Sequence, residues 1–145
     1  MQAAIIALAC LLLSAACSRP TPPPEAFATE EECAALVLVA KQELKLHKAN
    51  QPLLHGMDRQ DWAPTCDWEA ASINFLDIRD AVGFSGIGMR GPDVTFYRPK
   101  LDRGGAVITV ETVDDIGEQI TTCNLRRYGA NFSVAECKVS YVTPM

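Results

Sequence analysis

The chain has 145 residues and a formal net charge of −5. That length suits a single domain. The acidic balance argues against a nucleic-acid or anionic-membrane partner, because phosphate binding needs clustered Lys and Arg. The basic residues are instead scattered, the densest groups being Arg98 with Lys100 and Arg126 with Arg127.

From Ala3 to Leu13 the chain is almost wholly apolar, and Ser14-Ala15-Ala16-Cys17 follows. A run of about eleven residues is too short for a membrane-spanning helix, which needs about twenty. It fits the apolar region of a signal peptide. Small residues directly before a cysteine resemble a bacterial lipoprotein signal. That resemblance implies removal of residues 1–16 and acylation of Cys17. Gln2 stands where Lys or Arg is usual, and Leu13 sits one place further out than the aliphatic residue of the commonest pattern. The competing reading is an ordinary secretory leader in which Cys17 has no special role. Two or more acyl chains, at roughly 0.8 kcal/mol per buried methylene, give stable anchoring. Residues 17–28 then read as a tether. Ser18-Arg19-Pro20-Thr21-Pro22-Pro23-Pro24 favours polyproline II over helix or central strand. At about 3.1 Å per residue it would hold the domain about 20 Å from the membrane. Ser18 in place of Asp after the modified cysteine implies the outer membrane, facing the periplasm.

Residues 29–145 read as one α+β domain. Thr29-Glu30-Glu31-Glu32 is a capping-box signature with Thr29 as N-cap. Cys33, Leu36, Val37, Ala40, Leu44 and His47 recur at helical spacing and predict an N-terminal amphipathic helix ended by Asn50-Gln51-Pro52. Residues 66–82 fit a helix or a strand, with helix or a mixed segment favoured. Residues 83–91, with four glycines, read as a mobile connector. Beyond it, residues 93–98, 106–113, 119–128 and 132–142 predict an antiparallel meander of about four strands, one side covered by the helix.

Setting aside Cys10 and Cys17, four cysteines remain, an even number that reads as two disulfides in an exported chain. Neither a CxxC pair nor a Cys/His zinc spacing is present, so no metal or other cofactor is expected. If Gly129-Ala130-Asn131 forms a three-residue hairpin loop, Tyr128 faces Phe132 and Cys123 faces Cys137. A two-residue loop would put those cysteines on opposite faces. Cys33–Cys66 follows by elimination.

Phe96-Tyr97-Arg98-Pro99, the Ala-Val-rich stretch from Ala106 to Val110 and the cysteine-bearing hairpin from Cys123 to Tyr141 resemble the C-terminal sheet of small exported bacterial proteins. Some of those are cystatin-like or nuclear-transport-factor-like. The resemblance implies a fold class and carries no functional residue.

Candidate chemistry is sparse. His47 closes the helix stripe and reads as packed. His55, near Asp58 and Asp61, offers a His–carboxylate pair, yet no motif places a nucleophile beside it. The glycines of residues 83–91 do not precede a helix, as a phosphate-cradling loop must. Asp114-Asp115 reads as a turn rather than a calcium site. Trp62, Met89 and Arg90 are the candidate partner contacts, although Trp62 also suits a core position. The expectation is a non-enzymatic, lipid-anchored binding or envelope-structural protein. Its partners would be the membrane, through acyl chains on Cys17, and an envelope protein. The alternatives are a periplasmic inhibitor or immunity protein, and a small-ligand carrier or minor enzyme with a helix–sheet pocket.

Overall fold

A computed structural model describes residues 24–76 and 91–144. Cys17 and the apolar run before it, residues 77–82 of the ambiguous segment, and residues 83–90 of the expected connector with Met89 and Arg90 lie outside the described residues.

The described chain opens with a short 3-10 turn, after which Phe27 bridges Ala63 in parallel. Helix α1 follows, Glu30–Gln42. Its start is built from the capping box: the Glu32 N–H donates to Thr29 Oγ1 at 3.2 Å, and the Thr29 N–H donates to Glu32 Oε2 at 2.7 Å. The buried face consists of Glu32, Ala35, Leu36, Val39 and Ala40. It is therefore turned towards Glu32 relative to the expected stripe. Glu32 can face inward because Arg98 Nε pairs with its Oε1 at 2.9 Å. The helix ends at Gln42, well before Asn50-Gln51-Pro52, because Lys45 takes a left-handed conformation with φ 52°. Leu46 is then buried in a second 3-10 turn, while His47 is exposed rather than packed.

The expected four-stranded antiparallel meander is a larger, mixed sheet. Six strands are present among the described residues: β1 Leu53–His55, β2 Asp93–Phe96, β3 Lys100–Leu101, β4 Gly105–Asp114, β5 Gly117–Tyr128 and β6 Asn131–Pro144. Their order is β1-β2-β4-β5-β6, with β3 also pairing β4. Strand β1 runs parallel to β2, and all other pairings are antiparallel. Strands β2 and β3 lie along one side of β4, interrupted at Arg98-Pro99, where proline has no N–H for the ladder. Residues 66–76 form no helix: a turn spans residues 68–72, and Leu76 bridges Leu53.

Register decides which side chains meet α1. Phe96 opposes Val110, Ile108 opposes Cys123, and Ala106 opposes Leu125. All six are buried and form one core with Leu36, Val39, Ile73 and Val94. Trp68 lies over Phe96, with ring centroids 5.6 Å apart and planes 14° apart. Gly105 is fixed by close approach, since a Cβ there would meet the Leu125 carbonyl oxygen at 1.8 Å.

Two disulfides staple this body, Cys33–Cys66 and Cys123–Cys137. The hairpin carrying the second differs from expectation. Tyr128 opposes Asn131, so the loop has two residues, Gly129 and Ala130. The cysteines still oppose each other because a bulge at Ala135 shifts the register between Asn124 and Leu125. Ala135 is exposed, and Val134 stands opposite Leu125.

Candidate functional site

The sheet face away from α1 carries the main polar constellation. Cross-strand register aligns His55, Thr95, Glu111 and Ile120 in one row. Asp93 stands two residues before Thr95 and shares its face by strand alternation. His55 is only 5 % exposed. Its Nδ1 lies 2.5 Å from Asp58 Oδ2 and its Nε2 lies 3.3 Å from Asp93 Oδ2.

Arg59 spans the same row from the turn that follows β1. Its Nη1 donates to Thr95 Oγ1 at 3.2 Å and lies 3.5 Å from Glu111 Oε1. Its Nη2 lies 3.8 Å from Asp93 Oδ2. Gln60 donates from Nε2 to the Phe96 carbonyl at 2.7 Å. On the far side, the Tyr97 hydroxyl donates to Glu111 Oε2 at 3.0 Å. Residues 55–60 are thereby clasped to β2 and β4 by charge-assisted bonds.

The electrostatics follow from these contacts. Burial raises the Asp58 carboxyl, but the Gly56 N–H and the His55 ring outweigh it and hold the group below its ordinary value. The hydrogen bond to Glu111 pushes the Tyr97 hydroxyl above its ordinary value. A carboxyl lowered on folding contributes stability that is fully present above its unfolded value, near 3.8, and lost as pH falls through the folded one. The raised phenol has the opposite sign: its contribution holds below its unfolded value and is lost as pH rises through the folded one. Asp58→Asn is therefore expected to flatten the acid-side loss of stability, read as unfolding free energy in a pH series below about 5. An unchanged acid-side slope would exclude this role for Asp58.

Both ring nitrogens of His55 face carboxylate oxygens, so the ring ties the turn after β1 to β2. Of the groups singled out from sequence, the structure joins His55 to Asp58, while Asp61 is exposed and outside the cluster. Asp93, Thr95 and Glu111 were missed. The available signal was polar residues at alternate positions of two otherwise apolar strands. Asp114 caps its own turn, its Oδ1 accepting from the Ile116 and Gly117 N–H groups at 2.8 and 3.2 Å.

Trp62 is 5 % exposed and belongs to the core, which corrects its place as an exposed partner contact. Trp68 donates from Nε1 to the Pro64 carbonyl at 3.0 Å. Next to it is an apolar recess of about 270 Å³, lined by Leu54, His55, Gly56, Ala63, Pro64 and Thr65. Exposed apolar side chains gather instead on the β4–β5 turn and on β6: Ile116, Val139, Tyr141 and Val142 are each at least half exposed. No family model, curated protein or solved structure matches the chain.

Proposed function

We propose that this chain is a lipid-anchored domain of the bacterial cell envelope that acts by binding a protein partner. The observation that carries the reading is the pair of disulfides, Cys33–Cys66 and Cys123–Cys137, in a chain whose apolar N-terminal run is followed by Ala15-Ala16-Cys17. Disulfides persist in oxidising compartments such as the periplasm. Acyl chains on Cys17 would hold the domain at the membrane, and Ser18 favours the outer membrane.

A binding role is supported by one feature. Large apolar side chains are left in solvent on the β4–β5 turn and on β6, the composition of a recognition surface. The small-ligand carrier reading would rest on an open recess of about 500 Å³ lined by Glu31, Leu101, Asp102, Arg103 and Arg127, whose mainly charged lining differs from the largely apolar walls of ligand pockets.

Cys17→Ala is expected to move the protein from the membrane fraction to the soluble fraction. Mass spectrometry of the native N-terminus should find acyl mass on Cys17. Unchanged membrane association of the variant, or an unmodified cysteine, would overturn the anchoring.

A further inference from the structure

Strand β6 is the last strand of the sheet, and its outer margin has no partner strand among the described residues. We propose that this margin pairs with the same margin of a second copy of the chain, antiparallel and about a two-fold axis at Cys137. The inference is independent of membrane anchoring.

Bulges at Ala135 and Val142 leave one regular window on β6, residues 136–141. Within it Cys137 opposes Cys123 at a Cα–Cα distance of 4.1 Å, the close spacing of a non-hydrogen-bonded pair. The backbone N–H and C=O groups of Cys137, Val139 and Tyr141 therefore point away from β5, towards the open margin. Unpaired groups of this kind are a template for another strand.

Two-fold pairing must bring outward groups onto outward groups, so few registers are available. Centring on Lys138 sets two ammonium groups against each other. Centring on Val139 places Lys138 opposite Ser140 and Glu136 opposite Val142, so neither charge meets its opposite. Centring on Cys137 places Glu136 opposite Lys138 of the second copy, and by symmetry does so twice. Opposite charges directly across a strand pair are favourable and like charges are not. Glu136 and Lys138 already lie 3.5 Å apart within one strand, with side chains 55 % and 73 % exposed. In the pair each charge would have opposite charges on both sides.

The bulges that frame the window also limit the result. They prevent a long continuous ladder, and a two-fold contact closes on itself. The margin is thus suited to one copy rather than to open-ended stacking. Val139, half exposed in the single chain, would come to lie beside the bulged Ala135 of the second copy, so regular pairing covers residues 136–138 of each copy.

Sedimentation equilibrium of the purified full chain, over a concentration series, tests this. The expected result is a concentration-dependent dimer. Lys138→Glu or Glu136→Lys alone should weaken self-association about tenfold, because two attractive contacts become repulsive. The double variant Glu136→Lys/Lys138→Glu should restore it. Both side chains are exposed, so thermal unfolding at a dilution where the chain is monomeric should be unchanged in all three variants. A chain that stays monomeric throughout, a dimer indifferent to both single reversals, or a double variant no better than the singles would each overturn the proposal.

Discussion

Phe96→Ala is expected to remove about 3–5 kcal/mol of folding stability, the range for truncating a fully buried aromatic. The Phe96 side chain has no solvent exposure and sits at the centre of the core. One side of its ring stacks on Trp68, and its strand neighbour across the sheet is Val110. Truncation would leave a void bounded by Trp68, α1 and β4, and none of these can close inward easily. Trp68 is held by its bond to the Pro64 carbonyl, and β4 by its ladder to β5. Net stabilities of small domains are about 5–15 kcal/mol, so the loss is a large share. Urea unfolding followed by tryptophan fluorescence would measure it. Val139→Ala is the control: Val139 is half exposed, and the change should stay within about 0.5 kcal/mol. A Phe96→Ala loss no larger than the control's would refute this account of the core.

The double replacement Cys33→Ala/Cys66→Ala is expected to cost about 3–4 kcal/mol by the chain-entropy relation for its sequence separation of 33. The reason extends beyond loop entropy. Residues 56–76 contribute no strand to the sheet, and their backbone bridge at Ala63 reaches Phe27, ahead of α1. The disulfide is their covalent tie to the helix. Cys123–Cys137 closes a shorter span of 14 within a ladder that already aligns the two strands. Its removal should cost less, about 3 kcal/mol or below. Thermal unfolding of the two double variants, compared with the oxidised parent, would rank the bonds. The reverse order would show that the hairpin bond is the more important staple.

What the sequence revealed depended on how local each determinant was. The capping box needs only residues 29–32, and it could be read directly. The end of α1 could not, because it is set by Lys45 turning left-handed, a choice that burying Leu46 rewards only in the folded body. Strands β4, β5 and β6 are long and alternate clearly. Strands β1 and β3 span three and two residues, too few for any period to show. The mixed character of the sheet rests on β1 joining β2 in parallel across a long stretch of chain, which no local pattern records.

The polar clasp shows the same limit. His55 and Asp58 are three residues apart and were visible as a pair. Asp93 is 38 residues from His55, and Arg59 reaches Glu111 on β4, so only the strand order brings them together. Burial of Glu32 was hidden for a related reason. Its partner Arg98 lies 66 positions away.

The hairpin was legible by compensation. A separation of 14 between opposed cysteines cannot arise from a two-residue loop alone, so one surplus residue must be housed somewhere. Spacing fixes that surplus without saying where it sits, and the chain houses it at Ala135 rather than at the loop. A version lacking Ala135 would keep its sulfur bridge and its turn. It would also carry a straighter border strand, broken only at Val142 and more adhesive towards strangers. The single misfit alanine therefore trades regularity for discretion, and shortening the chain there would endanger solubility before it endangered the fold.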